Sequence, residues 1–232
     1  MTRLLVSVRS VAEALVAAHG GADFIDLKEP SDGALGGLPT ATIAAVVAAL
    51  RERRITLPVS ATIGDLAVSE LAAILARVEA VAACGVDYVK VGIERAPQAL
   101  TVLDALAATG QSIVPVFLAD RGLDQAHVEH ACSSGFAGLM VDTADKTSGS
   151  VFDVLSAGDL RRFIARVRAA GSLAGVAGAL RLAHVPALRA LAPDFAGFRS
   201  AVCAGDRSGD LDPQRLRALA ESMHSHDALP VG

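Results

Sequence analysis

Tryptophan is absent from this 232-residue chain, there is one tyrosine, and aromatics make up only 3% of it. Cysteine is almost as scarce. Cys84, Cys132 and Cys203 are odd in number and far apart, which argues against a disulfide framework and against a structural zinc site. No apolar run reaches the roughly 18 residues of a membrane span. Glu70, Arg77, Glu79, Arg181 and Arg189 interrupt the richest stretches. There is no excess of positive charge either: the net charge of −4 argues against a generic nucleic-acid surface. No linker, charge run or low-complexity segment divides the chain. Residues 1–8 run directly into a strand-like pattern, so no signal peptide is expected and the cytoplasm is the expected location. The 52% apolar content excludes disorder and suffices for one sizeable core.

The most informative scarcity is lysine. Of 21 basic residues only three are lysine: Lys28, Lys90 and Lys146. Arginine and lysine solubilise a surface about equally well, but arginine cannot shed its proton to become an amine nucleophile or base. A chain that builds its cations from arginine keeps lysine where that difference matters.

A weak repeat runs through the sequence. A helical, Ala-rich segment ends in glycine, a small residue or Asp follows, and a short apolar run comes next, as at residues 18–28, 83–91, 132–142 and 170–176. Glycine suits the residue just past a helix end, and the apolar run suits a strand buried on both faces. This pattern predicts strands near 3–8, 23–28, 57–63, 87–92, 112–118, 136–142, 172–177 and 195–201. Helices are predicted near 10–19, 40–53, 68–84, 96–109, 123–133, 157–169, 182–191 and 213–223. Ser10 followed by Glu13 reads as a capping box. Eight strand–helix units in this length predict an α/β fold, a single (β/α)8 TIM barrel over residues 1–221, with a flexible tail at 222–232. A doubly wound open sheet is disfavoured because no Gly-x-Gly-x-x-Gly turn follows the first strand.

Catalytic groups of such barrels sit at the carboxyl ends of the strands. Alternation points Asp26 and Lys28 inward from the second strand, Tyr88 and Lys90 from the fourth, and Met140 and Asp142 from the sixth. Lys146 follows on the loop above. All three lysines are thus expected at one mouth, with Lys28 the most buried. Two ammonium groups about 6 Å apart repel by about 3 kcal/mol at an effective dielectric of about 20, which lowers one amine's pKa by about two. A neutral amine can attack a carbonyl to form an imine, and a neighbouring amine or carboxylate can then move protons. The expected chemistry is aldol addition, dehydration or isomerisation through a Schiff base, with no metal or cofactor. Loops after the last two strands, residues 175–180 and 197–206, are rich in small residues and suit a phosphate. Arg9, Gly178, Ala179, Arg199 and Gly205 are the phosphate-binding candidates, Arg199 being inward by parity with Gly197.

Other groups read as structural. His127 and His130 are taken as a solvated helix face without a third metal ligand, His224 and His226 as part of the tail, and Cys203 as a packing residue. Asp120-Arg-Gly-Leu-Asp124 is taken as a loop and helix cap.

Five motifs carry a resemblance. They are Leu4-Leu-Val-Ser-Val-Arg-Ser10, Gly20-Gly-Ala-Asp-Phe-Ile-Asp-Leu-Lys-Glu-Pro30, Tyr88-Val-Lys-Val-Gly92, Met140-Val-Asp-Thr-Ala-Asp-Lys146 and Gly197-Phe-Arg-Ser-Ala-Val-Cys203. In order and content they resemble the (5-formylfuran-3-yl)methyl phosphate synthase family, also called 4-(hydroxymethyl)-2-furancarboxaldehyde phosphate synthase. That resemblance implies a (β/α)8 barrel that condenses two molecules of glyceraldehyde 3-phosphate, with loss of one phosphate and two waters, for a methanofuran-type cofactor. It implies Lys28 as the Schiff-base lysine and Lys90 as the proton acceptor, supported by Asp26, Asp142 and Lys146. A further family lysine near the fifth strand has no counterpart here, and Asp120 and Arg121 are the candidates for its role. Two other readings stay open: a different Schiff-base aldolase-like barrel acting on a triose or sugar phosphate, and a non-catalytic sensor of a phosphorylated metabolite. The partner is a small molecule in each case, and the oligomeric state is left open, a homo-oligomer included.

Overall fold

Short apolar runs and amphipathic Ala-rich segments alternate along the chain, and in the computed structural model they close on themselves. The strands are β1 (Arg3–Val8), β2 (Phe24–Leu27), β3 (Val59–Thr62), β4 (Tyr88–Ile93), β5 (Ile113–Leu118), β6 (Gly138–Asp142), β7 (Leu173–Val176) and β8 (Phe195–Phe198). They pair in chain order, all parallel, and β8 returns to β1 with Leu5 opposite Gly197, so the sheet is a closed eight-stranded barrel. The helices are α1 (Val11–His19), α2 (Thr40–Glu52), α3 (Leu71–Ala82), α4 (Ala99–Ala107), α5 (Gln125–Ser133), α6 (Val151–Val154), α7 (Ala157–Ala169), α8 (Val185–Leu191) and α9 (Pro213–His224). The structure describes residues 1–145 and 149–225. Among them, no helix is long and apolar enough to cross a membrane.

Period-two alternation sorts the strands' side chains into two cores. Ile25, Leu27, Val89, Val91, Leu139 and Val141 face the helices and join the apolar shell between barrel and helix ring. Leu5, Phe24, Val114, Met140 and Phe195 point inward and fill the barrel. The interior closes only because β7 and β8 carry glycine at inward positions. A Cβ on Gly175 would lie 2.2 Å from the Phe195 ring, and one on Gly197 would lie 3.1 Å from Met140 Cε. The apolar plug fills the amino-terminal half of the barrel, so polar inward residues remain above it, toward the carboxyl ends.

Three local features differ from the sequence expectation. β8 stops at Phe198, and Ser200–Val202 form a single 3-10 turn. The short helix α6 is additional; Ser150 caps it reciprocally with Asp153, and Val151 N–H donates to the Gly178 carbonyl at 3.0 Å. The last helix continues beyond the expected end of the barrel unit. Ser222, Met223 and His224 belong to α9, and His224 Nε2 lies 2.8 Å from Asp23 Oδ2. The reading of 222–232 as a loose tail therefore does not hold for these residues, and residues 226–232 lie outside the described part. The capping box at α1 is likewise modified. Ser10 Oγ accepts from Glu13 N–H at 3.2 Å, but the Glu13 carboxylate accepts from Arg9 N–H and from a guanidinium donated by the far end of the chain.

Candidate active site

Above the apolar plug, neighbouring strands place polar side chains side by side. Ser7 is opposite Asp26, and Asp26 is opposite Ser60, so this carboxylate sits between two hydroxyls by register alone. Ser7 Oγ donates to Asp26 Oδ2 at 3.0 Å and Ser60 Oγ donates to Oδ1 at 2.6 Å. Lys90 completes the set, with Nζ 2.8 Å from Asp26 Oδ1. Asp26 and Lys90 are buried to 1% and 3% exposure, so each ion's desolvation must be offset by its partner. Burial works to raise the Asp26 pKa. The charges of Lys90 and Lys28 and the hydrogen bonds from Lys90 and Ser60 overcome it and hold Asp26 below the ordinary carboxylate value. For Lys90 the balance is opposite. Burial, reinforced by the Lys28 charge, carries its pKa below that of an ordinary lysine despite Asp26.

The second amine stands at the rim. Lys28, the residue after β2, places Nζ 3.9 Å from Asp142 Oδ2, a contact at the outer limit of an ion pair. Asp142 is itself fixed, since Oδ1 accepts from Thr143 N–H at 2.8 Å. Lys28, Lys90, Asp26 and Asp142 all line one cavity, with Gly178, Ala179, Arg199 and Arg207 on the side of the last two strands. Its free volume is about 30 Å³. Its wall is formed by strand ends and by the loops that follow them. Part of that wall is the loop after β2. Leu35 is buried over the barrel, its N–H donating to the Asp65 carboxylate, and Thr62 Oγ1 donates to the Gly36 carbonyl at 2.9 Å.

The structure brings together four of the five expected catalytic residues; Lys146 lies outside the described residues. The expected order of burial is reversed: Lys90, at 3%, is more buried than Lys28, at 8%, because β4 sets Lys90 one layer deeper than the strand-end Lys28. Among the phosphate candidates, Gly178 and Ala179 line the cavity and both have positive φ, at 113° and 44°. Arg9 and Gly205 do not line it. Arg9 turns outward to Asp210, Nη2 to Oδ1 at 2.9 Å, and Gly205 sits on an exposed turn. Arg199 faces the cavity as parity predicts, but its guanidinium has no free donor. Nε donates to the Arg207 carbonyl, Nη1 to Ser7 O and Glu13 Oε2, and Nη2 to Glu13 Oε1 and Gly209 O. Five N–H groups meet five acceptors, so the expected bidentate phosphate contact from Arg199 is replaced by a buried clamp on Glu13.

Of the two residues expected as candidates for the family lysine's role, Asp120 accepts from Ala144 and Asp145 N–H, both at 2.7 Å, and so holds the start of the loop after β6. Arg121 pairs with Glu94 in an adjoining groove. Among the described residues, no cluster of His, Cys, Asp and Glu is arranged to hold a metal. His127 is buried rather than solvated, and His130 Nε2 lies 2.6 Å from Asp104 Oδ1. Cys203 is fully buried and packs in the core, as expected. Ser7, Ser60, Glu13 and Arg207 were not picked out by sequence. Strand alternation marks Ser7 and Ser60 as inward polar residues beside Asp26. The spacing from Ser10 marks Glu13 only as a helix cap, and nothing local marks Arg207.

Comparison with known proteins follows the same outline. The sequence profile described as 4-HFC-P synthase matches residues 4–220. A relative from Archaeoglobus fulgidus, named (5-formylfuran-3-yl)methyl phosphate synthase, is 31% identical and aligns over 96% of this chain and 99% of its own. A Methylorubrum extorquens protein provisionally given the same name is 38% identical over 96% of this chain and 92% of its own. Among solved structures, phosphoribosyl anthranilate isomerase from Thermus thermophilus superposes with a TM-score of 0.65 over 96% of this chain and 98% of that one, at 16% identity, a likeness of fold.

Proposed function

The chain belongs to the 4-HFC-P synthase family, and on that premise we propose that it is a synthase joining two molecules of glyceraldehyde 3-phosphate through a lysine imine. The products are (5-formylfuran-3-yl)methyl phosphate, one inorganic phosphate and two waters, which accounts for every atom of the two trioses. The reaction is of the lyase class, serving a methanofuran-type cofactor. Three widely spaced cysteines, all free, suit a reducing cytoplasm.

One observation carries this reading: a buried amine of lowered pKa, Lys90, held 2.8 Å from Asp26 in the cavity that also receives Lys28. Lys28 at the rim attacks the aldehyde carbon of one triose and releases water, forming the imine. Lys90 takes the proton from the adjacent carbon, and the imine nitrogen receives the electron pair, giving an enamine. That carbon then attacks the aldehyde of the second triose. Asp26 keeps Lys90 aimed and accepts its proton by hydrogen bond. Asp142 orients Lys28 and moves protons during the dehydrations, and Lys146 holds charge on a phosphate. Loss of phosphate, ring closure with cleavage of the carbon–nitrogen bond that frees the Lys28 amine, and loss of water yield the aromatic furan, whose stability draws the sequence forward.

Borohydride added with glyceraldehyde 3-phosphate is expected to leave a covalent adduct on Lys28, seen by peptide mass spectrometry, alongside furan absorbance and released phosphate without borohydride. An adduct that persists in Lys28→Arg, or a wild-type protein with neither adduct nor furan, defeats the reading.

A further inference from the structure

Three arginines other than the lysine pair stand near the mouth, and their hydrogen bonds separate them. Arg9 is spoken for by Asp210 at 2.9 Å and by Glu13 at 3.5 Å. Arg199 is neutralised by Glu13 and has every donor in use. Arg207 is different. It lines the lysine cavity, and its guanidinium makes one hydrogen bond, Nη2 to the Gly33 carbonyl at 3.0 Å, a neutral acceptor. No carboxylate among the described residues comes within 4.0 Å of it. A half-buried guanidinium cannot relieve its desolvation by losing its proton, because arginine stays charged. Among the described residues it has N–H donors to spare on the wall of a cavity and no anion to receive them.

From this we infer that Arg207, rather than Arg199, is the side chain that reads the substrate's phosphate, a phosphomonoester dianion, and so sets specificity for phosphorylated over plain aldehydes. This rests on the reading of the cavity as the site of a phosphorylated triose. The planar fork of a guanidinium matches two phosphate oxygens. The backbone that presents it is fixed: Arg199 Nε donates to the Arg207 carbonyl at 2.9 Å, and Asp206 Oδ1 accepts from Ser208 N–H and Oγ at 2.8 and 2.6 Å. Arg199 is then a positioning residue. The buried Glu13–Arg199 pair holds the loop, and the loop brings Arg207 to the cavity that Gly178 and Ala179 also line. Burial lowers the Arg207 pKa against the pull of Asp142, and a bound dianion would reverse that balance.

The test uses unreactive and reactive probes on the intact protein. Calorimetric titration with glycerol 3-phosphate at fixed ionic strength is expected to show binding to wild type that weakens by about 20-fold or more in Arg207→Gln, as loss of a charge-assisted pair implies. Arg207→Lys should recover part of it, since the charge returns without the fork. Borohydride trapping of unphosphorylated glyceraldehyde should be the same in wild type and Arg207→Gln, whereas trapping of glyceraldehyde 3-phosphate at low concentration should fall. Equal binding of glycerol 3-phosphate by wild type and Arg207→Gln overturns the inference, as does an equal loss for both aldehydes, which would mark a strap that merely holds the loop. Wild type that binds glycerol 3-phosphate through Arg207 yet traps no aldehyde would sink the imine reading and leave this one standing.

Discussion

The floor of the cavity and its rim are built on opposite principles. On the floor, Asp26 is met by Ser7, Ser60 and Lys90 at 3.0, 2.6 and 2.8 Å, all four buried and all set on strands that pair directly or one apart. At the rim, Lys28 stands 3.9 Å from Asp142, and the Arg207 guanidinium hydrogen-bonds, among the described residues, to one backbone carbonyl; both are carried by residues beyond strand ends. A saturated ionic floor is rigid and costly to break, because removing one member leaves an uncompensated buried charge. A loosely held rim costs little to rearrange, which suits groups that must exchange protein partners for substrate.

The sharpest way to break that contrast is to remove one amine from each level. Lys90→Met leaves Asp26 charged without its cation and should lower stability by about 3–5 kcal/mol and turnover by about 10²–10⁴-fold. Lys28→Met should abolish turnover at a smaller cost in stability than Lys90→Met, because its contact to Asp142 is 3.9 Å rather than 2.8 Å. Urea unfolding beside steady-state rates separates the two, and equal stability losses would erase the distinction between floor and rim.

Ser60→Ala is the next smaller step. It removes the 2.6 Å bond to the Asp26 carboxylate and should cost about 1–3 kcal/mol, as loss of a hydrogen bond to a buried charge does. The cost should shrink in an Asp26→Asn background, where the acceptor stays but its charge is gone, a double-mutant cycle measured by denaturation.

Titration offers a third. Asp26 ionises more readily folded than unfolded, so the stability it contributes is complete above its unfolded value of about 3.9 and is lost as pH falls through its lower folded value. Lys90 acts at the other end. Its charge is disfavoured in the fold at neutral pH, and that penalty is relieved as pH rises from its lowered folded value toward about 10.4. Because Asp26 holds the Lys90 pKa up, Asp26→Asn should move the acid limb of the rate profile to lower pH, in whatever activity remains. A limb that moves upward would mean Lys90 is not the base.

The smallest effect is expected at Gly205, which has φ of +82° and open space where a side-chain methyl would stand. Gly205→Ala should cost about 1–2 kcal/mol from the left-handed backbone alone and leave KM for the triose phosphate unchanged. A large rise in KM would return Gly205 to the phosphate site.

Much of this site is legible in the sequence, and for one reason. The period of two along a strand is a local property, so Asp26, Lys28, Lys90 and Asp142 can be pointed inward from sequence alone, and the shortage of lysine marks two of them as chemical. Arg199 shows where that reasoning stops. Its inward direction is right, but its partners come from Glu13 in the first turn of α1 and from carbonyls at Ser7, Arg207 and Gly209. Parity says where a guanidinium points and not what is already there to meet it. Arg207 is invisible for the converse reason: it lies in a loop, where no period applies. The depth of the two lysines is reversed on the same ground, since burial depends on how strands stagger against one another.

What the sequence determined by itself is the barrel, the inward-facing acids and amines, and the end of the barrel at which they collect. Those follow from local periodicity and from the one chemical property that separates lysine from arginine. The tertiary structure decided which charges are satisfied. Closing β8 onto β1 brings Arg199 beside Glu13, 186 positions away, and leaves Arg207 without a carboxylate partner among the described residues. Electrostatic pairing is a property of neighbours in space, and the chain's closure into a ring is what chooses them.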